Sequence, residues 1–395
     1  MKWKSIEEKK DGSVNIPNDW LFPYYYEALN ALFRIENGLR IFVYLVLKNE
    51  YGANWQNLSI TSDDEAQSTI GKIAKQRMNQ TKRLGYLGYL VPCPLMYMTT
   101  GELITLITAE AYWKHFRAYL PGSKEIIRNK FDEISAVRNA LAHFRPIKKD
   151  DLDLVKQNAI HVLSRIEVLM VDIMRCSNIV PTNTREAWYV DLRSMGNEHC
   201  ALSFLQSDDE SWVRIVCEYD CPVLGTSGYR RNPIYRVLNL VTPTILKKFP
   251  VLQSHIIILY ESVKYRTTDD NSTHQFGKTI SMLFNRAILN TEHNAIKEAL
   301  ESVLAMILEE TKLVQEDNLA RGELIQGVDV TARWHEYRNS DGFWSVNSNS
   351  LNCNVSEDAP VEYWGAMSYA EDDYLTATTK YPWMPVEVAQ DDIPF

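Results

Sequence analysis

From Trp20 onward the apolar residues fall at the three-and-four spacing of an amphipathic helix. Leu29, Leu32, Phe33, Leu39, Val43 and Leu47 share a stripe in which Glu36 and Arg40 are also set. Gly52 supplies a stop after Tyr51. The same periodicity predicts a helix over 63–83, carrying Lys72, Lys75, Arg77, Lys82 and Arg83, and then a loop over 85–94. Thr99 or Thr100 can cap a helix over 101–119, with Glu102 in its first turn, and Pro121-Gly122 breaks it. Ser123 opens the next helix, through Ile126, Ile127, Phe131, Ile134, Val137 and Leu141, and Pro146 limits it. A last helix covers 151–175. Residues 20–178 therefore predict an all-α bundle of about five helices.

After Pro181 the texture changes. Segments 187–192, 201–205 and 212–219 predict strands, 233–249 a helix, and 255–265 a β-branched apolar run. Helices are expected near 275–289 and 293–316. From 325 the periodicity is lost, and residues 340–395 hold ten Asp and Glu against one lysine, Lys380, which predicts a largely disordered tail. The expected fold class is α+β and multidomain. A polar leader (1–18) precedes an all-α helical domain (19–180). A smaller α/β sensor or regulatory domain (185–320) and the acidic tail (325–395) follow.

Charge sharpens this division. The chain has a net charge of −9, but residues 1–178 hold 24 Lys and Arg against 20 Asp and Glu, a net of +4. The remainder holds the other 18 basic and 31 acidic residues, a net of −13. Any phosphate-binding surface is expected in the first half. No apolar run approaches the roughly 18 residues of a membrane span. The basic start MKWKSIEEKK is followed by no apolar core, so no signal peptide is expected. A cytoplasmic protein with no membrane partner is the expectation. The scattered cysteines Cys93, Cys176, Cys200, Cys217, Cys221 and Cys353 form no C-x-x-C pair and read as reduced thiols. No Walker loop, G-x-G-x-x-G or H-E-x-x-H occurs, and His199, His255, His274, His293 and His335 show no ligand spacing. Neither metal nor cofactor is expected.

The informative segment is Ala136-Val137-Arg138-Asn139-Ala140-Leu141-Ala142-His143, near the end of an amphipathic helix. Arg138 interrupts the stripe of Phe131, Ile134 and Leu141, so a cation points toward a packed face, where it needs a partner. Asn139 and His143 lie at i and i+4 and share a face. Arg138 is five residues from His143, about 140° round the helix, so one helix presents the two side by side poorly and a second copy across a two-fold axis would help. Arg, Asn and His suit cleavage of RNA by its own 2′-hydroxyl. Histidine can move protons near neutral pH, and arginine can hold the phosphate oxygens as charge builds. In the competing reading, Arg138 and His143 only favour the negative end of a helix dipole. Glu36 and Arg40 read either as an intrahelical ion pair or as lining of a composite site. Asp132 and Glu133 read either as solvated or paired with Lys130, or one of them as an orienter of Arg138. Gly228-Tyr229-Arg230-Arg231-Asn232-Pro233, ahead of an expected helix, reads either as a surface loop or as a phosphate contact.

The R-N-x-x-A-H motif late in a small bundle resembles the HEPN superfamily. The resemblance extends over roughly 20–178 and includes Arg34-Ile35-Glu36-Asn37-Gly38-Leu39-Arg40 and Tyr51-Gly52-Ala53-Asn54-Trp55. It implies a metal-independent endoribonuclease, a hydrolase-type nuclease leaving a 2′,3′-cyclic phosphate and a 5′-hydroxyl. It also implies a homodimer whose motif helices form one cleft, with Arg138 and His143 as the catalytic pair and Asn139 in support. Many members act as toxins, some with an antitoxin partner, or in abortive infection as antiviral defence.

The final residues Asp391, Asp392, Ile393, Pro394 and Phe395 resemble the acidic tip of bacterial single-stranded-DNA-binding proteins, though with two consecutive aspartates where that family usually has three. A terminal Phe can fill an apolar pocket while the aspartates attract a basic rim, so a replication or repair protein is an expected partner. The alternative to an enzyme is a non-catalytic dimerising adaptor that docks on such machinery through this tip.

Overall fold

In the computed structural model, the described residues are 7–11, 14–15, 24–60, 68–85, 90–176, 181–267, 274–336, 342–366 and 381–384. The Asp391–Phe395 tip lies outside them. The chain divides into two compact units of nearly equal length, one of residues 1–171 and 370–395, the other of residues 172–369. Among the described residues no helix is long and apolar enough to cross a membrane.

The first unit opens with a two-residue antiparallel pair, β1 (Glu7–Glu8) and β2 (Val14–Asn15), inside the expected polar leader. Among the described residues six α-helices follow: α1 (Tyr25–Tyr51), α2 (Ile70–Leu84), α3 (Thr100–Thr108), α4 (Glu110–Phe116), α5 (Lys124–Ala142) and α6 (Lys149–Arg175). Every residue from Ile41 to Lys48 on α1 is buried, so the later half of this helix is covered on all sides. Gly52, at φ 54°, ends it. α5 buries the predicted stripe Ile127, Phe131, Ile134, Val137 and Leu141. The expected single helix over 101–119 is divided, because Ala109 is extended at φ −62°, ψ 138°. Next to the break, the Thr108 hydroxyl donates to the Ile104 carbonyl at 2.8 Å, a side-chain bond of the kind that competes with regular helix.

Tyr381, Pro382, Trp383 and Met384 are buried in this same unit. The Tyr381 ring meets Phe33 edge-on at 5.8 Å and its hydroxyl donates to the Arg34 carbonyl at 3.3 Å. Trp383 meets Tyr44 at 5.2 Å. A stretch expected within a disordered tail is therefore packed on α1, because two large aromatic rings outweigh the acidic composition around them.

The second unit joins two four-stranded antiparallel sheets to helices. One sheet has the order β3 (Cys200–Gln206), β4 (Trp212–Cys221), β8 (His274–Asn285), β7 (Ile258–Thr267). The other has the order β10 (Gly342–Asn347), β9 (Ile325–Glu336), β6 (Asn232–Leu240), β5 (Val223–Tyr229). α10 (Arg286–Glu316) packs on α7 (Ala187–Leu192), on α9 (Pro250–His255) and on β6, β8 and β9. α8 (Thr242–Lys248) completes the set.

Four sequence expectations need correction here. Residues 187–192 form α7 rather than a strand, with Trp188 and Leu192 one turn apart and fully buried. Packing overrides the strand propensity of this aromatic segment. Residues 232–240 and 274–285 are strands where helices were expected. In β8, Phe276, Lys278, Ile280, Met282 and Phe284 are buried at period two, while neighbours such as Leu283 are buried as well and blur the alternation. The chain does not lose structure at 325, since β9 and β10 follow and Leu351, Tyr363 and Trp364 are fully buried. This stretch is fastened by a buried ion pair, with Lys278 Nζ 3.0 Å from Glu261 Oε2. The ammonium also donates to the carbonyls of Leu240 and Leu351 at 2.7 and 2.8 Å, and Glu261 Oε1 accepts from the Cys353 amide at 2.5 Å.

Candidate active site

The site is built between α1 and the end of α5. Arg40 is its hub. Its guanidinium donates to Glu36 one turn earlier, to Asn37 Oδ1 at 2.9 Å, and to the carbonyls of Leu95 and Met98 at 3.1 and 3.3 Å. Burial pulls its pKa below the usual arginine range, while the Glu36 carboxylate opposes that by favouring the cation. The other oxygen of Glu36, Oε2, accepts from the Thr100 hydroxyl and lies 3.8 Å from Arg138 Nε. One carboxylate thus stands between two arginines. Glu36 and Arg40 form an intrahelical ion pair that also faces Arg138.

Thr100 is held in turn by a capping box at the start of α3. Thr99 Oγ1 accepts from the Glu102 amide at 3.4 Å, and Glu102 Oε2 accepts from the Thr99 amide at 2.8 Å. Arg77 of α2 forks onto both Glu102 oxygens at 2.7 and 2.8 Å. The α2 helix is thereby linked through the α3 cap to the carboxylate at the centre of the site.

Arg138 is half-exposed, and its Nη1 donates to Asn139 Oδ1 at 3.4 Å. It lines an open cleft of about 290 Å³ together with Tyr25, Leu29, Phe33, Glu36, Arg40 and Phe144. His143 is the C-terminal cap residue of α5 and is exposed, but it is not among the residues lining that cleft. Within one chain, then, Arg138, Asn139, Glu36 and Arg40 come together, and His143 stands just outside. Glu133 turns to α6 instead, where it accepts from Asn158 Nδ2 at 2.5 Å, while Lys130 donates to Asn158 Oδ1 at 3.2 Å. Its expected link to Arg138 is not formed, because it lies on the side of α5 that packs against α6.

Asn37, Thr100 and Phe144 were not singled out from the sequence as site residues. Asn37 sits in the quoted Arg34–Arg40 stretch, and only its burial beside an arginine sets it apart. The Arg230-Arg231 pair proves to be the two-residue turn of the β5–β6 hairpin, not the approach to a helix. Gly228, at φ 85°, has no room for a Cβ, which would fall 2.8 Å from the Asn232 carbonyl oxygen. Arg231 pairs with Glu336 at 2.5 Å. Among the described residues no group of three or more His, Cys, Asp or Glu is placed to hold a metal ion.

Residues 30–167 match the family model described as Swt1-like HEPN. No curated protein and no solved structure matches the chain. The matched segment runs from α1 into α6 and contains the cleft residues from Leu32 to Phe144, with Tyr25 and Leu29 just ahead of it. It supports a nuclease-type function in general terms. Over residues 30–167 the chain is thus similar to the HEPN superfamily.

Proposed function

We propose that the helical unit is a metal-independent endoribonuclease. In this reading the 2′-hydroxyl of the RNA attacks the adjacent phosphorus, the P–O5′ bond breaks, and the products carry a 2′,3′-cyclic phosphate and a 5′-hydroxyl. Arg138 holds the non-bridging oxygens and His143 transfers the proton, with Asn139 steadying Arg138. Glu36 and Arg40 set the direction of Arg138 from α1. The observation that carries the reading is Arg138 at the mouth of an open cleft, beside Glu36 and five residues before an exposed histidine. His143 lies outside the cleft of its own chain, which supports a homodimer that brings two α5 helices together. Cleavage of RNA in EDTA, with the product ends mapped, tests this. A cyclic phosphate opposite a 5′-hydroxyl is expected, and a 5′-phosphate product or no cleavage overturns it.

The biological role we infer is cytoplasmic anti-phage defence or toxicity, resting on the HEPN family. The Asp391–Phe395 sequence supports a partner that reads the tips of single-stranded-DNA-binding proteins. Burying one Phe side chain contributes about 1.5–3 kcal/mol, or roughly ten- to a hundredfold in affinity. Deleting Phe395 should weaken capture of replication and repair proteins by that factor. Equal capture with and without it removes the partner.

A further inference from the structure

The α5 helix ends in an unusual way. His143 is the cap, the Phe144 amide donates to the Leu141 carbonyl at 2.9 Å, and the Arg145 amide donates to the Ala140 carbonyl at 2.9 Å. This is the paired hydrogen-bond pattern that closes a helix through one left-handed residue, a position glycine usually fills. Here Phe144 fills it, at φ 55°. A side chain there is strained, and this one gains no burial in return, since Phe144 is 76% exposed. Stopping the helix does not require it, because glycine would do so without strain. The ring nevertheless lines the same cleft as Arg138, follows His143 directly, and is followed by the exposed Arg145. Tyr25 and Phe33 line the cleft from α1.

We propose that Phe144 is a base-stacking residue that receives an unpaired base of single-stranded RNA next to the scissile phosphate. This rests on the ribonuclease reading of the same cleft and adds to it how the substrate is held. Every base offers a flat π face to an aromatic ring, while Arg138 in the cleft and the exposed Arg145 next in sequence match the phosphates. A single-stranded segment satisfies both at once, and a paired base is already stacked within its duplex. The left-handed backbone at Phe144 carries a ring that lines the cleft, so the strain is part of the site.

The test compares Phe144→Gly, Phe144→Leu and Phe144→Tyr in the full chain. Binding is read with a single-stranded oligonucleotide of 2′-deoxy sugars, which 2′-hydroxyl attack cannot cut. Thermal stability, sedimentation and RNA cleavage are read alongside. Phe144→Gly should melt no lower than the parent and bind about five- to a hundredfold more weakly, the range that one base–aromatic stack supplies. Phe144→Leu should be weakened similarly and Phe144→Tyr should bind like the parent. A glycine variant that binds like the parent overturns the proposal, as does a parent that binds no oligonucleotide. Loss of self-association with unchanged binding also overturns it and makes Phe144 a chain–chain contact. If binding depends on the ring but the parent cuts no RNA, stacking stands and the ribonuclease reading alone fails.

Discussion

At the scale of single residues, the site is organised by carboxylates that each serve several donors. Glu36 is shared by Arg40, Thr100 and, more distantly, Arg138, while Glu102 is shared by Thr99 and Arg77. Burial raises the Glu102 pKa, but the Arg77 fork and the Thr99 amide and hydroxyl outweigh it, and the net displacement is downward. A carboxyl depressed on folding stabilises the native state above its unfolded pKa, about 4.3, and that contribution is lost as pH falls through the lower folded value. Glu102→Gln should therefore be less stable than the parent at pH 7, with the gap closing on acidification below about pH 4.3. Denaturant midpoints of both proteins across that range check it, and a gap that does not change with pH contradicts it. Arg138, Asn139, His143, Glu36 and Arg40 were legible as candidates because a motif or a helical spacing exposed them. The carbonyls of Leu95 and Met98 and the hydroxyl of Thr100 were not, since they reach α1 from 55 to 64 residues away. Tertiary folding alone makes such contacts.

At the scale of elements, the helical unit was the more readable half. α5 buries one stripe, and caps at Thr99 and Ser123 mark the starts of α3 and α5. The sheet unit was less readable because β4 and β8 bury runs on both faces, which blurs the alternation that identifies a strand, and β6 alternates only over Asn232–Val237 before its end is buried throughout. The buried Lys278–Glu261 pair shows the same limit. A lysine in a strand reads as a surface residue, yet here it ties β8 to β7, β6 and the segment at Leu351–Cys353. Removing one member strands the other charge. Lys278→Met should cost about 3–5 kcal/mol, whereas Lys278→Met combined with Glu261→Leu should recover most of that loss. Chemical denaturation of the single and double variants checks it. A double variant as unstable as the single one would show that the hydrogen bonds, not the charge, dominate.

At the scale of the whole molecule, the basic first part of the chain lies in one compact unit, but that unit also takes in residues 370–395, whose acidic side chains offset its positive charge. The HEPN match, the cleft and all the candidate catalytic residues belong to the first. Residues 381–384 return to that unit, where Tyr381 and Trp383 pack on α1. The most direct measurement is the single-turnover rate of RNA cleavage in EDTA by the parent, Arg138→Ala and His143→Ala. A positioned proton-transfer group contributes about 10²- to 10⁴-fold. Each substitution should therefore slow cleavage at least a hundredfold while the variants melt like the parent, because both side chains are at least part-exposed. Parent-like rates in both variants would contradict the account.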